Sequence, residues 1–383
     1  MANNTVVAIP ARDEAERIES CLIALDKQIL RPDLVVLLLN NCSDATEPIA
    51  WAMAPNLHFD LQIISRDLPL AEANAGHARR LVMAAAAVRA GSDGVLLTTD
   101  ADATVPVDWV SRAVGGLAEG ADVVCGRAVI DPLEATLIPA HLHQDDALEC
   151  RLIALLDDLA WMLDPEPHDP PPRHTEASGA SLAVGVAAFH RVGGIPPIAA
   201  GEDRAFVRAL WMMDARLRHD PAIQVTVSGR VVGRAEGGMA DAIRRRMVRQ
   251  DEFTDDQVEP AGDAFRRYRL RRRVRRAWAR TGDARTGDAR TGDARTGDAR
   301  TVDARATDRG VKDDALAGDM ALSPRSLLDA LAMGRFGAAW ARLEAVSPLL
   351  RRRRVRFGDL GIEITAAEAL LKSLLPPELL AAD

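Results

Sequence analysis

Two aspartates one residue apart, Asp100 and Asp102, close the apolar run Leu96-Leu97-Thr98-Thr99. Side chains alternate along an extended chain, so both carboxylates project to one side and small Ala101 to the other. Such a pair at a strand end suits Mg²⁺ or Mn²⁺, which proteins hold with one or two carboxylates plus substrate phosphates. The same tripeptide also serves as a plain strand-end turn, and its place at the ligand edge of a sheet favours the metal reading. A second acidic pair, Glu202-Asp203, follows Gly201 and opens a helical pattern. Acids there also suit the positive end of a helix dipole. His141, His143, His168 and His174 do not have the spacing of a histidine metal site.

The elements that must position these residues alternate in type. Thr5 to Ile9, Leu34 to Leu39, Leu61 to Ser65, Gly94 to Thr99 and Ala121 to Cys125 read as strands. Helical spacing recurs at Ile18, Cys21, Leu22, Leu25 and Ile29, behind an acidic first turn at Asp13-Glu14, and again over Arg79 to Val88. The continuous apolar strands imply burial on both faces, hence an α/β fold with a mostly parallel sheet flanked by helices. Ligands bind beyond the carboxyl ends of such strands. Three polar clusters fall there: Pro10 to Glu14, Asn40 to Thr46 and Asp100 to Thr104. Further along, Asp145 to Leu163 is helical, a strand-like stretch follows Ser181 to Phe189, and Ile223 to Val227 alternates as a strand.

The segments Val6-Val7-Ala8-Ile9-Pro10-Ala11-Arg12-Asp13-Glu14, Asn40-Asn41-Cys42-Ser43-Asp44-Ala45-Thr46, Asp100-Ala101-Asp102 and Gly201-Glu202-Asp203 together resemble the family 2 glycosyltransferases of GT-A fold. The resemblance covers roughly residues 1 to 235. It implies an inverting transferase, metal-assisted, that uses a nucleoside-diphosphate sugar donor and a hydroxyl acceptor of unknown identity. By that resemblance Pro10, Arg12, Glu14, Asn40, Asp44, Arg79 and Asp100 bind the donor. Asp100 and Asp102 form the DXD motif that holds Mn²⁺ or Mg²⁺. Asp203 is the general base, with Glu202 the competing candidate. Asn40 stands where the family carries a base-reading aspartate. Arg173, His174, Ser181, Arg230 and Arg234 are weaker candidates for acceptor or diphosphate contacts, and His219 for a third metal ligand. A sugar nucleotidyltransferase of similar fold is the alternative, but Pro10 to Glu14 lacks the glycine-rich loop that class opens with.

Composition bounds the remaining classes. A chain of 383 residues with 48% apolar content builds a sizeable core, and its formal charge of −8 argues against a protein that coats nucleic acid. Cys21, Cys42, Cys125 and Cys150 form no CxxC pair, which suits a reducing compartment. The first ten residues lack a signal-peptide layout and no apolar run reaches the roughly 20 residues of a membrane span. A cytoplasmic protein, at most peripheral to the inner membrane, is expected.

Beyond the transferase region at 1–235 the sequence divides into an arginine-rich helical segment at 236–280, a repeat at 281–310 and a small helical region at 311–383. Arg266 to Arg280 contains nine arginines, a candidate peripheral contact with anionic membrane and the basis of a non-enzymatic, partner-binding alternative. Thr281 to Arg305 is TGDAR four times and TVDAR once, read as a flexible linker. Ser323 before Pro324 marks a helix start, and Thr365-Ala366-Ala367-Glu368 reads as a capping box.

Overall fold

The structure is a computed structural model that describes residues 4–231, 233, 238–287 and 314–375. Seven strands form one sheet: β1 (Thr5–Ala11), β2 (Leu34–Asn40), β3 (Asp60–Arg66), β4 (Val95–Thr98), β5 (Val123–Ile130), β6 (Leu182–Gly185) and β7 (Leu217–Val227). Their order is β3-β2-β1-β4-β6-β5-β7. Strands β1 to β4 pair in parallel, as do β5 and β7, whereas β6 runs antiparallel between β4 and β5. The helices are α1 (Ile18–Asp26), α2 (Thr46–Met53), α3 (Ala75–Ala90), α4 (Trp109–Ala118), α5 (Pro132–Ala135), α6 (Ala140–Leu163), α7 (Val186–Arg191), α8 (Glu202–Met212), α9 (Met239–Val248) and α10 (Ala261–Gly287), followed by Pro324–Leu331, Phe336–Val346 and Leu360–Leu374.

Alternation along the buried strands splits the core into two layers. Val7, Ile9 and Ala11 of β1 join α1, α2 and α4 through Ile18, Leu22, Ala50, Trp109 and Val110. Val6 and Ala8 face the other way, onto Val82 and Met83 of α3, Phe189 of α7 and Phe206 of α8. All seven residues of β2 are buried, which is why that strand reads as an unbroken apolar run.

Three local expectations change. The acidic pair Asp13-Glu14 does not form a helical first turn: α1 starts only at Ile18, and Asp13 has φ 52°, a left-handed turn conformation. The stretch to Phe189 is a strand only to Gly185, where the extended glycine hands over to α7. Thr365 lies inside helix Leu360–Leu374 rather than at its start, and its hydroxyl donates back to Gly361 O at 2.9 Å. Ser323 does cap its helix, accepting from Ser326 N at 3.1 Å. α10 runs through Gly287 and so includes the first pentad; the repeat from residue 288 onward lies outside the described residues.

By packing, the chain forms two compact units: Met1–Gln144 with Pro167–Trp211 and Ala215–Gln250, and Asp145–Glu166 with Met212–Asp214 and Asp251–Asp383. The second has its own core of Leu152, Leu156, Leu159, Val258, Ala261, Ala264, Leu360, Ile364 and Ala367. Within it Arg267, 4% exposed, donates to Glu259 at 2.8 Å, to Glu344 at 2.8 Å and to Leu350 O at 2.6 Å. Arg267→Ala strands the buried Glu259 carboxylate, a change that destabilises by about 3–5 kcal/mol. Urea denaturation followed by circular dichroism should show the loss, and an unchanged midpoint would mean that this cluster does not hold the unit together.

Candidate active site at the carboxyl edge of the sheet

The register aligns Ala11 with Leu39 and Ala8 with Thr98, so the three polar clusters leave β1, β2 and β4 at one edge. The first two are stitched together. Asp13 Oδ1 accepts from Ser43 N at 2.6 Å and Asp44 N at 3.2 Å, which its left-handed backbone permits. Asp44 Oδ2 accepts from Ala15 N at 3.0 Å, and Thr46 Oγ1 from Glu14 N at 2.7 Å. Arg12 donates to Ala73 O at 2.9 Å. Two buried polar atoms near this edge, Asn40 Oδ1 and Thr99 Oγ1, have no hydrogen-bond partner among the described residues. Buried polar atoms are usually paired, so these two have spare bonding capacity.

Three carboxylates converge beyond β4. Glu14 is buried and accepts from Arg230 through both oxygens, at 2.7 and 2.8 Å. The same guanidinium lies 3.1 Å from Asp102 Oδ2. Asp100 Oδ1 accepts from Arg79 at 2.5 Å. Burial, then the neighbouring Asp100 charge, push the Asp102 carboxyl up to about 7, with Glu14 adding to the rise and Arg230 opposing it. The Cys21 thiol is raised by burial and by the charges of Asp102, Asp100 and Glu14. Three carboxylates and two guanidiniums thus share this edge. No group of three or more candidate ligands that could hold a metal ion occurs among the described residues. The two carboxylates Asp100 and Asp102 nonetheless fit Mg²⁺ or Mn²⁺, whose remaining ligands come from phosphate and water.

Arg79 sits 5% exposed beneath this pocket rather than on the solvent side of α3. It donates to Glu202 at 2.8 Å, Thr98 at 2.8 Å and Gly179 O at 2.9 Å besides Asp100. Burial alone would lower its pKa, but Asp100 and Glu202 raise it above the ordinary range, so it stays charged. Glu202 is equally buried and committed to this arginine. Its neighbour Asp203 is half-buried and accepts from Gly179 N at 2.8 Å and Arg204 N at 2.7 Å. Of the two acids, Asp203 is the more exposed. Gly179 links both, because a Cβ there would lie 2.4 Å from Arg79 Cζ.

His219 does not join this group. It lies on β7, separated from β4 by β6 and β5, which at about 4.8 Å per strand is roughly 14 Å. Its Nδ1 pairs with Asp169 Oδ2 at 2.8 Å. Although burial lowers it, contacts with Cys125 and Asp169 push its pKa up to about 10. Burial and the charge of His219 take His174 down to about 3, and the rings meet edge to face at 5.3 Å. Sequence reasoning missed this clasp, and it missed Glu134, which accepts from Ser228 Oγ at 2.9 Å and Gly229 N at 2.6 Å just before Arg230. Neither has a local sequence signal, since each pairs residues more than 45 positions apart.

Residues 6–162 match the family described as Glycosyl transferase family 2. The matched stretch includes Glu14, Asn40, Asp100 and Asp102 of the edge described above. Similar solved structures include Staphylococcus aureus TarS, 15% identical over 70% of this chain and 43% of that one, with a TM-score of 0.42. The 1–349 form of TarS in complex with UDP-GlcNAc is 15% identical over 97% and 90%, at 0.44. The mannosyltransferase PcManGT from Pyrobaculum calidifontis, in complex with GDP-Man and Mn²⁺, is 18% identical over 96% and 87%, at 0.44. The chain thus spans less than half the length of the first TarS structure. No curated protein matches the chain.

Two outcomes follow from this geometry. Gly179→Ala should displace Arg79 and lower the melting temperature, while the same change at Gly185, where a Cβ meets nothing within 4 Å, should be mild. Equal effects of the two would refute the close approach. His219, raised from 6.5 to about 10, contributes stability that is complete below about pH 6.5 and is lost as pH rises through about 10. Asp169→Asn should flatten that part of the stability–pH curve, and a variant with an unchanged slope would dissociate the charge from the clasp.

Proposed function

We propose that the chain transfers a sugar from a nucleoside-diphosphate donor to a hydroxyl acceptor. The convergence of Glu14, Asp100 and Asp102 on the carboxyl edge of a buried sheet carries the reading. Donor binding falls to the stitched loops at Pro10 to Glu14 and Asn40 to Thr46, and the unpartnered Asn40 Oδ1 supports it by leaving an acceptor for a nucleobase. Asp44 and Arg12 shape those loops, since their side chains are engaged by backbone groups. Asp100 and Asp102 are the carboxylates that hold Mg²⁺ or Mn²⁺. When bound, the cation acts as a Lewis acid and neutralises charge on the departing nucleoside diphosphate.

Asp203 takes the proton from the acceptor hydroxyl. The acceptor oxygen then bonds the anomeric carbon as that carbon's bond to the diphosphate oxygen breaks, and the pair of that bond leaves with the nucleoside diphosphate. Attack opposite the leaving group gives inversion, as the family resemblance implies. Glu202 is committed to its 2.8 Å ion pair with Arg79 and so holds that arginine, and through it Asp100, in place. The four free thiols suit a cytoplasmic setting, and no helix among the described residues is long and apolar enough to cross a membrane.

Calorimetry with UDP or GDP in Mn²⁺ tests the donor site. Asp100→Ala and Asp102→Ala should each abolish metal-dependent binding, and undiminished binding in both would remove the metal role. Asp203→Asn should keep that binding and lose transfer by about 10²- to 10⁴-fold. Near wild-type turnover would take the base role away from Asp203. A screen of nucleotide sugars for metal-dependent hydrolysis identifies the donor.

A further inference from the structure

Eight of the nine arginines from Arg266 to Arg280 divide between two faces of α10. Arg267, Arg271 and Arg275, four residues apart, share a face and are held by carboxylates. Arg267 pairs with Glu259 and Glu344, and both Arg271 and Arg275 pair with Asp164 and Glu166. At 3.6 residues per turn, Arg266, Arg269, Arg273, Arg276 and Arg280 form a stripe on the other side, and all five are exposed. Of these, Arg266 pairs with Asp263 and Arg273 with Asp319. Arg269 lies over the Phe265 ring instead.

A second basic run adjoins that stripe. Arg351, Arg352, Arg353, Arg354 and Arg356 are exposed. Arg353 reaches Asp263 at 2.7 Å, the carboxylate that Arg266 also uses at 3.3 Å, so the run abuts the first turns of α10. Asp263 therefore serves two guanidiniums and leaves net positive charge. Val346 and Leu349, 49% and 44% exposed, precede the run. The exposed large apolar side chains of this unit among the described residues are all aliphatic: Leu148, Leu328, Val346, Leu349, Ile362 and Leu375.

We propose that the outer stripe of α10 and the loop 351–356 form one docking surface for an anionic phospholipid bilayer. Charge complementarity carries it: a cationic surface on a chain whose formal charge is −8 requires a partner of dense negative charge. The aliphatic neighbours select lipid among such partners, because basic residues beside exposed aliphatic ones suit the headgroup boundary. Single-stranded nucleic acid is gripped by stacking on exposed aromatic rings, and this unit has none among its exposed large apolar residues. The inner arginines, engaged by carboxylates, are scaffold and not contact.

The test is flotation of the full chain with phosphatidylcholine vesicles with and without about 30% phosphatidylglycerol, at low and high salt, over which the Debye length falls from about 10 to about 3 Å. Wild type should float with anionic vesicles at low salt and be released at high salt. Each basic residue near such a surface contributes roughly fivefold, so Arg269→Gln/Arg273→Gln/Arg276→Gln should lower partitioning about 100-fold. Its melting temperature should stay near wild type. Arg351→Gln/Arg352→Gln should weaken binding likewise, whereas Arg271→Gln should lower the melting temperature. Absence of flotation at low salt overturns the proposal, as does an outer-stripe variant that floats like wild type. Tight binding to soluble polyphosphate, with flotation insensitive to Val346→Ser/Leu349→Ser, overturns the lipid assignment in favour of a polyanion.

Discussion

The site depends on one buried cation. Arg79 carries five donors in a fixed fork, and the structure engages them with Asp100, Thr98, Gly179 and Glu202. Those partners belong to the end of β4, the loop before β6 and the first turn of α8. A charge that deep is tolerable only when fully paired, so its partners have little freedom to move independently. The position of Asp100, and through Gly179 N that of Asp203, is thereby set from below the pocket and not by the loops above it.

Charge is distributed by two different rules in the two units. Around Asp102, burial first and then the neighbouring Asp100 charge push the carboxyl up to about 7, against the pull of Arg230. Along the inner face of α10 the balance is met: Asp164 and Glu166 are shared by Arg271 and Arg275, and Glu259 by close contact with Arg267. Binding chemistry and scaffold chemistry thus use the same residue types, separated by whether the local charge closes.

The strands were legible because a strand buried on both faces has no choice of composition, as Leu34 to Leu39 illustrates. The Asp100–Asp102 pair was legible for the same reason, since a strand's end is where a polar residue first becomes tolerable. The direction of Arg79 was not, because an arginine on an alanine-rich helix reads the same whether it faces water or a carboxylate beneath. Asp13 and Glu14 look like the acids of a helix start, and only tertiary contact with Ser43, Asp44 and Thr46 turns them into a loop clasp. Thr365 failed as a cap because the chain was already helical from Leu360, where the hydroxyl's best acceptor is a carbonyl one turn back. In α10 the partition of arginines was written in the spacing of four, but it needed the positions of Asp164 and Glu166, roughly a hundred residues away, to be read.

At the start of α3 the backbone of Gly76 meets the backbone of the loop before α8, donating to Ala199 O at 3.2 Å, and a Cβ would fall 1.9 Å from Ile198 O. Contact between main chains is blind to the side chains of the loop. Residues 198 and 199 are therefore open to drift among descendants of this sequence, while position 76 is confined to a single amino acid. Diversity in that loop and invariance of the helix start beneath it would then arise from the same touching atoms.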